Sequence, residues 1–145
     1  MVTSHDIDKA LFRSFKAQFV KPSVPLVGHT YIGGMVYNGD RLLNSTAEDI
    51  TVRTLSLSGD GFPQDALVNV NVYVPDIVEH GGGYVRDGAR LAVLSKAVTD
   101  FIETLEYPNA ELAVEAVTEI AVEPIHQHYL NFRLRLTVYH YMTSN

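Results

Sequence analysis

Six histidines, a run of three glycines and a series of spaced glutamates are the residues of this 145-residue chain best suited to chemistry. His126-Gln127-His128 would set two imidazoles on one face of an extended segment, with Glu123 near enough to join them. A metal site needs three or four converging ligands. His5, His29, His80 and His140 supply no second pair at ligand spacing, so a polar hairpin connection is the expectation for 124–128. Gly81-Gly82-Gly83 precedes a predicted helix, where a phosphate cradle would stand. A phosphate loop requires Gly-x-x-x-x-Gly-Lys-Ser/Thr and a dinucleotide fingerprint requires Gly-x-Gly-x-x-Gly. Neither pattern occurs, and Arg86 is the nearby base. The serines lack a Gly-x-Ser-x-Gly elbow. Glu115 and Glu119 would serve as an acid/base pair only where burial or neighbours split their pKa values, and an acidic solvent face is expected of them instead. With no cysteine in the chain, thiol catalysis, Fe–S clusters and Cys-based zinc sites drop out. The expectation is a protein with no enzymatic activity, no cofactor and no bound metal.

The elements that must carry these residues follow from periodicity. A 46% hydrophobic, 19% charged chain of this length is expected to form one domain, 1–145, that buries about 68–70% of its unfolded surface. Its apolar content excludes intrinsic disorder. It holds no run of ~20 apolar residues, so no membrane partner is expected. It opens on no charged-then-apolar leader, so no secreted precursor is expected either. Ile7, Leu11, Phe15 and Phe19 recur at helical spacing, which predicts a helix over 5–19 with Ser4 as N-cap, ended by Pro22 and Pro25. A strand is predicted over 30–37 and a second over 49–57. In the second, the apolar parity changes between Ile50/Val52 and Leu55/Leu57, which calls for a bulge near 53–54.

Val68, Val70, Val72 and Val74 alternate with Asn69, Asn71 and Tyr73, the clearest strand in the chain. Residues 75–86 are expected to form a long loop, mobile until a partner orders it. A helix follows over 87–105. Residues 111–123 are ambiguous, because Glu111, Glu115, Glu119 and Glu123 share both a helical spacing and a strand parity. The β-branched Val114, Val117, Thr118, Ile120 and Val122 favour strand. Residues 129–141 then close a hairpin, with Leu130, Phe132, Leu134, Leu136 and Val138 inward. The expected fold is α+β: a mainly antiparallel sheet with two helices on one face, in the order helix-strand-strand-strand-helix-hairpin.

Charge is unevenly placed. The net charge is −6, and 100–123 contains acids but no Lys or Arg, whereas Lys9, Arg13 and Lys16 share one face of the first helix. A net acid chain is not expected to bind nucleic acid, which calls for a basic face. Lys9, Arg13 and Lys16 are expected to meet Glu115 and Glu119 across a contact between unlike surfaces of neighbouring copies. Arg133 and Arg135, outward on the last strand, are expected to pair with the neighbour's acids. Tyr73, Tyr129 and Tyr139 also point outward and add apolar area with a polar tip, as interfaces favour.

Gly33-Gly34-Met35-Val36-Tyr37, the alternating run 68–74, the helix from Leu91 to Leu105 and Tyr129-Leu130-Asn131-Phe132-Arg133-Leu134 together resemble the tail-terminator (tail-completion) family of long-tailed bacteriophages and prophages. Asn44-Ser45-Thr46-Ala47-Glu48 stands where that family often carries a proline-rich segment. The resemblance implies a ring-forming structural protein that stops tail-tube polymerisation and joins tail to head. It implies as partners other copies of the chain and tail-tube or head-neck proteins, in the virion or, before assembly, in the bacterial cytoplasm. It carries no catalytic residues. Another neck or minor virion protein of similar build, and a small-molecule enzyme or binding domain, are the competing readings.

Overall fold

The structure, a computed structural model, describes residues 2–139. His140 and Tyr141, the last two residues of the predicted 129–141 strand, lie outside the described residues. Helix α1 spans Ser4–Phe19 and is followed by strands β1 (Val36–Asn38), β2 (Ile50–Ser58) and β3 (Gln64–Pro75). A small hairpin of β4 (Ile77–Val78) and β5 (Tyr84–Val85) leads to α2 (Gly88–Thr104). Strands β6 (Ala110–Val122) and β7 (Gln127–Val138) close the fold through a single 3₁₀ turn. The main sheet has the order β1-β2-β3-β7-β6. Both helices pack on one face of it, over a core that includes Ile50, Val52, Val68 to Val74 in alternation, and Phe132, Leu134 and Leu136. Phe15 and Phe19 of α1 meet the edge of Phe101 of α2, with centroids 5.1 and 5.4 Å apart. This is the α+β class and helix placement expected from the sequence.

Several details differ, each for a local reason. Thr3, not Ser4, caps α1. Its hydroxyl accepts from the Asp6 amide, and Asp6 accepts from the Thr3 amide, a reciprocal capping box. The sheet is mixed, because β1 runs parallel to β2 while the other pairs are antiparallel. β1 is far shorter than the predicted 30–37 strand, since the amides of Gly33, Gly34 and Met35 are taken by Glu48 and Asp49. The bulge of β2 falls at Leu55, one residue beyond the expected place.

Residues 75–86 are not a structureless loop. β4 and β5 pair through Ile77↔Val85 and Val78↔Tyr84, with Gly81 and Gly82 at φ 102° and 90° in the turn. Glycine meets that positive φ without a Cβ clash. The base of the hairpin is pinned three ways: His128 Nδ1 lies 2.7 Å from Asp76, Arg86 pairs with Glu119, and Tyr84 stacks on His126.

Residues 110–122 form a strand, as their β-branched content predicts, but the glutamates do not share a face. A bulge at Glu115 resets the pleat. Before it, Glu111 lies opposite Thr137 on the face away from the helices; after it, Glu119 lies opposite Leu130 on the helix face. No helix among the described residues is long and apolar enough to cross a membrane.

Candidate functional site

The sheet face away from the helices carries a network of polar and aromatic side chains. Alternation in β3 and β7 sends Asn69, Asn71, Tyr73, Tyr129 and Asn131 to it. Asn131 donates to Asn71 at 2.7 Å, and Tyr73 and Tyr129 pair with centroids 5.0 Å apart. The Asn69 side-chain oxygen is buried without a hydrogen-bond partner among the described residues.

Residues 39–48 leave β1 and cross the upper part of this face as a strap. Asp49, at the strap's end, is 1% exposed. It accepts from the Met35 amide at 2.9 Å, from Ser45 Oγ at 2.6 Å and from Arg41 at 3.3 Å. The Arg41 guanidinium lies 3.7 Å above the Tyr73 ring and also donates to Gln127, whose amide returns a bond to the Ser45 carbonyl. The strap is thus tied to Asp49 directly before β2, to Tyr73 of β3 and to Gln127 of β7. Between it and the sheet lies a groove of about 560 Å³, lined among others by Leu42, Leu43, Leu55, Asn69 and Tyr129. Leu43 is 91% exposed at its rim. The groove can seat a small polar-edged ligand or a protruding apolar side chain.

Glu48 makes the second anchor. Its carboxylate takes Arg90 Nε at 2.7 Å and the Gly33 amide at 3.0 Å, and Arg90 reaches on to the Tyr31 carbonyl. Burial alone would raise the Glu48 pKa. The hydrogen bonds from Arg90 and Gly33, with the Arg90 charge, outweigh burial and hold it below its ordinary value of 4.5. A carboxyl held low contributes stability that is complete above the unfolded-state pKa and is lost as pH falls through the folded-state pKa. Glu48→Gln is therefore expected to lower stability at neutral pH and to flatten the acid limb below about pH 4.5. Denaturant titrations across pH check this; an acid limb of unchanged slope contradicts it.

The sequence-predicted interface residues separate into two groups. Lys9, Arg13 and Lys16 are exposed on α1, which covers the β1–β2 side of the sheet. Glu115 and Arg135 sit together on the face away from the helices and pair with each other within the chain. Glu119 pairs with Arg86, Oε1 to Nη2 at 2.6 Å, on the helix side. Arg135, expected to meet a neighbour's acid, has an acid of its own chain at hand, because the bulge places Glu115 beside it. Arg133 is exposed on the same face as Arg135 and enters none of the ion pairs among the described residues.

His126 and His128 do not converge. His126 adopts φ 52° and stacks on Tyr84 at 3.6 Å, while His128 turns to Asp76. The described residues contain no group of three or more His, Asp or Glu placed to hold a metal ion.

Sequence reasoning missed Arg41, Glu48, Asp49 and Gln127. The one signal available was an acid pair directly before a strand, downstream of a glycine pair. No family model matches the chain, and no curated protein matches it.

Proposed function

We propose that this chain is a non-enzymatic virion structural protein, a ring-forming tail terminator that caps a phage tail tube and joins it to the head. The observation that carries the reading is the sheet itself, flanked on opposite sides by unlike surfaces. The basic face of α1 stands over the β1–β2 side, and the acid stretch 100–123, whose Glu115 and Glu119 pair with Arg135 and Arg86, ends in β6 at the other. Unlike surfaces on opposite sides are what a head-to-tail contact uses, and such contacts close into rings when the rotation permits. The resemblance in element order and in the Gly33-Gly34 and 68–74 segments supports the same reading. The test is the genetic neighbourhood. Tail-tube, tape-measure and portal genes beside this one are the expected finding, and a metabolic operon contradicts it.

The groove beneath the strap favours a second reading, a small-molecule binding domain. A saturable rise in thermal midpoint with one class of small polar ligand, abolished by Tyr129→Ala, would favour it over the first.

A further inference from the structure

The two edges of the main sheet match each other in polarity, height and hydrogen-bonding phase. We propose that β1 of one copy pairs antiparallel with β6 of the next, so that the five-stranded sheets of neighbouring copies join into one continuous sheet; this rests on the ring reading. Polarity comes first. β2 runs with β1, and the remaining pairs alternate direction, so β6 runs opposite to β1. Copies related by a lateral step in the same orientation therefore present β6 and β1 as an antiparallel pair, the more stable ladder.

Height comes second. Following the cross-strand partners, Val36 is level with Ile50, Val72, Leu130 and Glu119. Asn38 is level with Val52, Val70, Phe132 and Val117 by the same partners. The three residues of β1 thus stand level with Glu119, Thr118 and Val117, inside the stretch 115–121 that is exposed on both faces of β6.

Phase comes third. The Met35 carbonyl and the Gly39 amide bond to β2. In an alternating strand this turns the backbone groups of Val36 and Asn38 outward. The Asn109 carbonyl accepts from Tyr139, which sets the odd-numbered residues of β7 toward β6. Past the bulge their partners are Ala116, Thr118 and Ile120, so Val117 and Glu119 turn their backbone groups outward. The outward residues of the two edges therefore face each other, with side chains on matching faces.

Charge agrees. Edge strands are usually kept apart by exposed charge, yet the acids Glu115 and Glu119 are neutralised within the chain by Arg135 and Arg86, and 110–122 holds no proline or lysine. In the helix layer the same step sets the neighbour's α1, with exposed Lys9, Arg13 and Lys16, beside α2, where Glu103 is exposed and Asp100 pairs with Lys96 of its own helix at 2.7 Å.

The chain lacks cysteine, so paired cysteines test the register cleanly. Tyr37 and the neighbour's Thr118 would form a non-hydrogen-bonded pair with Cα atoms about 4.5 Å apart, inside disulfide range. The chain carrying Tyr37→Cys with Thr118→Cys is oxidised under native conditions, both concentrated and with purified tail tubes. A ladder of disulfide-linked oligomers, absent from each single variant, is expected. Val117→Lys, at a site 44% exposed, is expected to weaken self-association at least about tenfold with an unchanged circular dichroism spectrum. No ladder from the double variant, or wild-type association by Val117→Lys, overturns the pairing. Cross-linking by Thr118→Cys alone also overturns it, in favour of a two-fold β6–β6 contact. Rings on tubes without a ladder leave the tail reading standing and remove only the edge pairing. A ladder without rings on tubes does the reverse.

Discussion

Gly34→Ala is expected to destabilise the fold by about 3 kcal/mol, lowering the thermal midpoint by about 10 °C. The cause is steric. A Cβ at Gly34 would stand 2.9 Å from the Glu48 carbonyl carbon and closer still to the Glu48 oxygen and the Asp49 carboxylate. None of these atoms can retreat cheaply: the Glu48 carbonyl accepts from the Gly34 amide at 2.8 Å, and Asp49 is held by Arg41, Ser45 and Met35. Gly33→Ala is the control, because its Cβ would meet Glu48 Oε1 at an ordinary 3.8 Å. Paired thermal melts that show equal losses for the two variants contradict this account of the glycine pair.

Asp49→Ala is expected to cost about 3–5 kcal/mol, since it leaves a nearly buried guanidinium without its carboxylate. The Arg41 side chain is 10% exposed and that of Asp49 1%. Loss of the carboxylate also frees Ser45 and the Met35 amide, so the strap is expected to become sensitive to limited proteolysis within 39–48. Replacing both partners, as Asp49→Leu with Arg41→Met, is expected to cost less than Asp49→Ala alone, because no unpaired charge remains buried. Denaturant unfolding of the two variants checks the order; a loss under about 1 kcal/mol for Asp49→Ala contradicts the strap's dependence on this pair.

The same strap marks the boundary of what was legible in the sequence. The core strands were readable because Val68 to Val74 and Leu130 to Val138 alternate strictly, and one buried face imposes period two. Both helices were readable from their apolar spacing; Asp87, which the 87–105 reading places inside the second helix, is instead its N-cap and accepts from the Arg90 amide. The glutamates of β6 were misplaced because one bulge residue, Glu115, inverts the pleat, and nothing in Glu-Ala-Val-Thr-Glu announces it. Arg41, Asp49 and Gln127 escaped notice because Arg41 and Gln127 are 86 residues apart and meet only once β7 is laid beside β3. Tyr73 and Tyr129 were read as outward-facing, and they are; that Arg41 already covers Tyr73 depends on the path of a loop with no periodicity. The sequence predicts only a long, mobile loop over 75–86, because Ile77-Val78 and Tyr84-Val85 are too short to register as strands against the glycines between them.

The most direct measurement of the central claim is electron microscopy of the purified chain mixed with tail tubes from the same source, beside light scattering of the chain alone. Closed rings of this protein seated at one end of each tube are expected, with tubes that no longer lengthen when more tube protein is added. Tubes that stay bare-ended and keep growing in the presence of excess chain would contradict it.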